Sequence, residues 1–442
     1  MKPRRLTLTL ALVAVAALVA SAGASANGTK LILSDPFTQG GQHKTVAEPD
    51  TFSAGSTIVA VAQLGVFVDG GATGIGFATS TNAGVSWASG VLPGITRYTN
   101  PPGPYDEAAA PSVAFDARHN VWIAVSVGLK VPGPVGAAIL ASRSTNGGLT
   151  WNNPVTIAAA GANGNFDKPW IVCDNGSASP FYGSCYAQFD DLGHSSRLKI
   201  SSSTDGGLTW LARTTPNIGV IGGQPLVQPS GKVIIPIDNA SETALGALVS
   251  SNGGGSWSFV TITSITTAAD PFIRSSPLPS AEIDGAGRVF VTWEDCRFRA
   301  GCSTNDLVYV TSSDGTAWSA VQRIPIDPVT STVDHLIPGI GVDKATSGAT
   351  AHVSVTYYYF PNNTCTFSTC QLFAGSISST NGGAMWNAPV QFAGPMMLIW
   401  LPTTGGSPTV GDYISTSFAG DGTSHGAVIV AKVPSTSFDV GL

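Results

Sequence analysis

The chain has 442 residues, a formal net charge of -6 and only 11% charged side chains, alongside 52 glycines and 29 prolines. So few cations, with no basic stripe, exclude a nucleic-acid-binding chain held by phosphate contacts. Abundant Gly, Ser and Thr with little charge point to a turn-rich all-β protein and away from a helical one.

Taken in chain order, Lys2, Arg4 and Arg5 precede an apolar run over residues 6–20 and then "SAGASA", which predicts a secretory signal peptide cleaved after Ala26. A membrane anchor is the rival reading, but the run is short for a span, and no later stretch is long and apolar enough to cross a bilayer. The mature chain, 27–442, is expected to be one secreted domain and a monomer.

Six variants of one short stretch then recur: "STNAGVSW" (80–87), "STNGGLTW" (144–151), "STDGGLTW" (203–210), "SSNGGGSW" (250–257), "SSDGTAW" (312–318) and "STNGGAMW" (379–386). Their tryptophans step by roughly sixty residues, the period of a propeller blade built from four antiparallel strands. Around the second box, "PSVAFDARHNVWIAVSV" predicts two strands turning at His119 and Asn120, and the box itself joins two more. Glycine permits positive φ in the turn, Asn or Asp accepts hydrogen bonds from turn amides, and the buried Trp anchors the hairpin. Asn replaces Asp in four of the six copies. Turn capping tolerates that exchange and acid-base catalysis does not.

The six cysteines fall in three close pairs, Cys173 with Cys185, Cys296 with Cys302, and Cys365 with Cys370. In an exported chain these are expected to be local disulfides. Zinc is the alternative, but no pair is CxxC and no His stands at ligand spacing.

With these boxes the chain resembles the Asp-box (BNR) repeats of sialidase-like β-propellers over nearly its whole mature length, and "FDKPWIV" (166–172) and "GDYIST" (411–416) resemble secreted bacterial members. The resemblance implies four-stranded blades with the boxes on the outer part, away from the active centre. "TKLILSDP" near residue 30 reads as a fourth strand without a blade, and "GDYISTSF" and "GAVIVAKV" as two strands of another unit. Seven blades closed by both chain ends are therefore expected, with six as the alternative.

Turn alternation puts the boxes on one face, so the ligand site belongs on the other. A retaining sialidase resembling this family needs three arginines on the sugar carboxylate, a Glu-activated Tyr nucleophile and an Asp acid/base. Arg274, Arg297 and Arg299 are the candidate clamp, Glu294 with Tyr413 or Tyr357 the candidate nucleophile pair, and Asp167 or Asp106 the candidate acid; Asp295 and His335 are further substrate-binding candidates. The densest piece, "WEDCRFRAGC" (293–302), equally permits arginines that merely pair with Glu294, Asp295 or Asp306. The Arg-Ile-Pro that sialidases carry at the first blade is missing here: no Arg or Lys lies between Thr45 and Ile95, and the only copy (323–325) falls on an outer strand after the fifth box.

No cofactor is expected. Asp190 and Asp191 are candidates for a structural Ca²⁺. "GTSHG" (422–426) has the GxSxG spacing but joins two strands, and "GATGIG" (71–76) is a strand-flanking loop. Two functions remain: a secreted sialidase-like glycoside hydrolase acting on extracellular glycans, or a non-catalytic propeller that binds glycan or a protein partner such as a glycoprotein.

Overall fold

A computed structural model describes residues 29–270, 272–434 and 438–442, so the signal-peptide expectation lies outside the described residues. The chain is all-β, built of successive antiparallel sheets with a few single-turn helices between them. Among the described residues no helix is long and apolar enough to cross a membrane.

Sheet 1 runs Val46–Ala54, Thr57–Val66, Ala72–Ser80 and Ala88–Val91; sheet 2 runs Glu107–Asp116, Val121–Lys130, Val135–Ser144 and Val155–Ala159, joined to sheet 1 by one pairing, Ala72 with Ala108. Sheets 3, 5 and 6 have the same four-strand order, starting at Phe166–Cys173, Ser280–Ile283 and Asp334–Val342. Sheet 4 differs because its first strand is broken into Val220–Gly223 and Leu226–Val227. Beyond sheet 6, Ser415–Phe418 pairs with Ser424–Ala427, and Val430–Ala431 pairs with Val440–Gly441. The N-terminal segment completes this last group, since Ser34 bridges Gly441 and the Ile32 N–H donates to Leu442 O at 2.7 Å.

The second strand of each sheet is nearly all buried and rich in β-branched and small residues, as in "IVAVAQL" and "VFVTW", because both of its faces are covered by neighbouring sheets. Core clusters accordingly lie between consecutive sheets. One joins sheets 1 and 2 through Val59, Ile75, Trp122 and Leu140; another joins sheets 4 and 5 through Ile234, Leu245, Val291 and Val308. The largest brings Leu64 of sheet 1, Tyr358 of sheet 6 and Ile414 and Ile429 of the C-terminal strands together.

The six boxes adopt one turn. In each, the Gly N–H donates to the leading Ser Oγ at 2.8–3.0 Å, as Gly84 does to Ser80 and Gly207 to Ser203. The Asn or Asp Oδ1 accepts from a following amide whichever residue it is: Thr150 N to Asn146 and Thr209 N to Asp205 are both 3.0 Å. Those donors hold the Asp205 carboxyl down at about 2, although its slight burial works the other way. Box turns also rivet neighbours, as when Arg143 Nε donates to Gly206 O at 2.6 Å and Tyr309 OH to Gly383 O at 3.0 Å. The three expected disulfides are formed: Cys173–Cys185, Cys296–Cys302 and Cys365–Cys370.

Candidate functional site at the inner strands

A tripeptide recurs where each first strand begins: Glu48-Pro49-Asp50, Ala110-Pro111-Ser112, Lys168-Pro169-Trp170, Gly222-Gly223-Gln224, Leu278-Pro279-Ser280, Ile337-Pro338-Gly339 and Gly411-Asp412-Tyr413. Its leading residue takes left-handed φ in six of the seven copies, from +47° at Lys168 to +104° at Gly411, and the pairing register breaks there in sheets 1, 2, 3, 4 and 6. Such bulges re-aim side chains. An isoleucine at φ +48°, as at Ile337, is a strained conformation that its surroundings must hold.

Two sets of contacts hold it. The third residue of one copy accepts from the amide just after the next copy: Asp50 Oδ2 from Val113 N at 2.8 Å, Ser112 Oγ from Ile171 N at 3.1 Å, Gln224 Oε1 from Ala281 N at 2.7 Å, and Ser280 Oγ from Ile340 N at 3.0 Å. Trp170 has no such role, because the residue it would cap is Pro225. The second contact comes from the second strand of the preceding sheet. Glu294 Oε2 accepts from Ile337 N at 3.0 Å, and Asp190 Oδ2 from Gly222 N at 2.7 Å. Glu294 and Asp190 occupy the same register, five residues after the residue paired with the box serine.

Glu294, a candidate nucleophile activator, therefore pins a strained backbone turn. It is 2% exposed, and burial, then the nearby Asp270 and Asp334, hold its carboxyl well above the usual range. Asp190 likewise sits far up because of burial, with Gln188 Nε2 donating to Oδ1 at 2.8 Å. Asp191, its partner in the expected Ca²⁺ site, accepts instead from Asn165 N at 3.1 Å and contacts His194 Nδ1 at 2.9 Å. The two acids are each served by protein donors.

The predicted arginine clamp does not assemble among these groups. Arg297 Nε and NH2 bind Asp295 at 2.8 and 2.7 Å, and its remaining contacts are Thr263 Oγ1 at 3.2 Å and Ser264 O. Asp295 also accepts from Trp293 Nε1 at 3.1 Å. Arg299, 4% exposed, spans Asp306 at 2.6 Å, Asp327 at 2.7 Å and the carbonyls of Pro328 and Ser331. Arg323, the outer-strand arginine, binds the same two aspartates at 2.7 and 2.6 Å. With His335 alongside, Asp306 and Asp327 group as metal ligands would, but two guanidiniums already supply the positive charge there. His335 is buried, which pushes its pKa down; its Nδ1 lies 3.3 Å from Asn305 O and its ring packs on Tyr357. Tyr357 is 2% exposed, and burial drives its hydroxyl pKa up.

Arg274 goes elsewhere. Its guanidinium forks onto both oxygens of Asp412, with NH2 to Oδ2 at 3.0 Å, and Lys168 Nζ reaches Oδ2 at 2.5 Å. Asp412 is 4% exposed; burial pushes its carboxyl up, but the two cations outweigh that and hold it below the usual range. Glu48, absent from the sequence candidates, lies beside this group and accepts from Gln63 Nε2 at 2.6 Å. Burial, then the Asp412 charge, pushes Glu48 up to about 7. Asp167 acts electrostatically on Glu48 and Arg274, and its Oδ1 accepts from Lys168 N at 2.8 Å. Tyr413 OH donates to Pro111 O at 2.8 Å and its ring meets Trp170 at 5.0 Å and 71°. Of the sequence candidates, the inner strands thus gather Arg274, Asp167 and Tyr413, and leave Arg297, Arg299, Asp295, His335 and Tyr357 elsewhere. Asp106 pairs with the exposed Arg97 at 3.3 Å.

Beside this cluster is a shallow, open depression with about 30 Å³ of enclosed room, lined by Lys168, Trp170, Gly222, Gln224, Pro279 and Tyr413, among others. All of its lining residues but Ile414 belong to the recurring tripeptides. Half-buried Trp170 and Tyr413 line it together with Gln224 and Lys168, whose ammonium is bound to Asp412.

No family model matches the chain, and no curated protein matches it. Among solved structures, a protein of unknown function from Dyadobacter fermentans has a TM-score of 0.50 and 13% identity over 80% of this chain and 100% of that one. A Hadza microbial sialidase gives 0.49 and 15% over 72% of this chain, which spans only 64% of that sialidase. NanB sialidase from Streptococcus pneumoniae gives 0.45 and 14% over 94% of this chain and 69% of that one. At such identities the likeness concerns the fold alone: an all-β chain of antiparallel sheets.

Proposed function

We propose that the protein is an exported seven-bladed β-propeller that binds glycan at the mouth of its inner strands and lacks the sialidase reaction. Seven blades are supported by seven copies of the inner-strand tripeptide, and export by three disulfides, which persist in oxidising compartments. One observation carries the functional reading: every arginine expected to grip a substrate carboxylate already grips a carboxylate of the protein, Arg274 on Asp412, Arg297 on Asp295 and Arg299 on Asp306 and Asp327. A sialoside entering the mouth would have to displace Asp412 from two cations at once. A neutral sugar need not, because Trp170 and Tyr413 offer ring surface to its C–H face while Gln224 and Lys168 meet its hydroxyls.

A glycan array with the purified protein, run beside fluorogenic sialosides and aryl glycosides, tests this. Retention without turnover, abolished by Trp170→Ala, is the expected result; turnover of a sialoside overturns it. A second reading, hydrolysis of a neutral glycoside, is favoured by Glu48 and Asp412, two neighbouring carboxyls pushed in opposite directions, as an acid and a base are. Aryl glycoside turnover lost in Glu48→Gln would establish it.

A further inference from the structure

Two short disulfide rings stand side by side on the face opposite the boxes, and they share a pattern: Cys296-Arg297-Phe298 closes at Cys302, and Cys365-Thr366-Phe367 closes at Cys370. Each ring lies in the loop between the second and third strands of its sheet, in sheets 5 and 6, and Asn363 Nδ2 ties them by donating to Ser303 O at 3.0 Å. Each presents its phenylalanine to solvent: Phe298 is 38% and Phe367 42% exposed. A third, Phe272, is 51% exposed, meets Phe367 edge-on at 6.4 Å, and is held at φ +61°. Only Phe259 among the other described phenylalanines is comparably exposed, and it lies on the outer strand of sheet 4.

Hydrophobic burial works against this arrangement. Leaving phenylalanine rings partly in water forgoes the burial that favours folding, and left-handed φ at a bulky residue adds strain. The arginines flanking Phe298 are spent on internal carboxylates, so they fasten the ring and leave its phenylalanine outward.

We propose that Phe298, Phe367 and Phe272 form a stacking platform for outlying sugar rings of an oligosaccharide whose inner end occupies the depression at Trp170 and Tyr413. This rests on the glycan-binding reading of that depression. The two regions are linked through the chain: Phe272 lies within about 7 Å of Arg274, and Arg274 binds Asp412, the neighbour of Tyr413. The surroundings select a sugar over a lipid or an apolar helix. Around Phe367 stand Asn362, Thr364, Thr366, Ser368 and Thr369, all exposed and hydrogen-bonding among themselves, which suits a ligand alternating C–H faces with hydroxyls.

The test is titration calorimetry with mono- to hexasaccharides of cellulose, chitin, xylan and β-1,4-galactan as probes. At least one series should tighten with length. In Phe298→Ala/Phe367→Ala the hexasaccharide should weaken at least tenfold and the shortest binding member less than twofold; Phe298→Trp/Phe367→Trp, which keeps the ring surface, should bind like the native protein. A hexasaccharide held within twofold by the double alanine variant overturns the platform and leaves the inner site standing. If no saccharide binds the native protein, the inner site falls and the platform with it. Phenylalanine-dependent binding to phosphatidylcholine vesicles instead of saccharides overturns the sugar as occupant.

Discussion

Asp238 gives the sharpest stability prediction. It stands in the register of Glu294 and Asp190, five residues after Val233, which pairs with the box serine Ser250. Those two acids hold an amide of the following sheet's tripeptide; Asp238 does not, because Leu278 N donates to Ser276 O at 2.8 Å instead. Neither Asp238 oxygen makes a hydrogen bond of good geometry, and burial, then the Glu242 charge, pushes the carboxyl from 3.8 to about 8 against the weaker pull of the adjacent Asn239 amide. The folded state therefore keeps a proton that the unfolded chain releases near pH 4. Stability attributable to this residue falls by about 1.4 kcal/mol for each pH unit between roughly 4 and 8, on the order of 5 kcal/mol in all, and is flat outside that window. Asp238→Asn removes the titration. Urea unfolding with disulfides intact should show the variant near parity at pH 4 and ahead by several kcal/mol at pH 8, with unchanged m. Parallel stability curves for the two proteins across that range would refute the reasoning, since they would mean that the carboxyl has a partner or water in the fold.

Gly411→Ala should cost at least about 3 kcal/mol, because the residue has φ +104° and an added Cβ would lie 2.4 Å from Glu48 N; a melting temperature within two degrees of native would contradict the close approach of these two segments. Arg299→Ala should cost about 3–5 kcal/mol by leaving two buried aspartates without it, and Arg297→Ala less, with affinity for the shortest binding saccharide unchanged in both; lost affinity for that saccharide without lost stability would restore them to the site. Asn146→Asp and Asp205→Asn should each stay within about 0.5 kcal/mol of native in urea unfolding, since the turn accepts the same amide bonds either way. Glu48 ionises near pH 7 and then adds negative charge beside Asp412, so any residual binding of an anionic saccharide, already disfavoured by Asp412, should weaken from pH 6 to 8 and become pH-independent in Glu48→Gln; a profile unchanged by the substitution would separate Glu48 from the proposed site.

How far the sequence speaks depends on whether a residue's role is local. The boxes were legible because their Ser, Asn or Asp, Gly and Trp bond within one hairpin, as Trp151 Nε1 does to Gly148 O at 3.0 Å. The disulfides were legible for the same reason, each closing a loop of a dozen residues or fewer. Arg297 and Arg299 were half legible: pairing with Asp295 and Asp306 was one of the two readings the sequence offered, and the fold adds Asp327, 28 residues on, and Ser264, 33 residues back. The inner-strand tripeptide was in plain view as a Pro recurring in five of its seven copies, yet its meaning is carried by hydrogen bonds spanning about sixty residues, from one copy to the next. Lys168 and Asp412 meet across 244 residues. A repeat that builds a frame advertises itself in sequence because every copy must satisfy the same local bonds. A site is made where copies differ: Glu48, Lys168 and Asp412 break a pattern otherwise filled by Ala, Gly, Leu, Ile and Pro, and those departures mark the mouth more surely than the local density of charge.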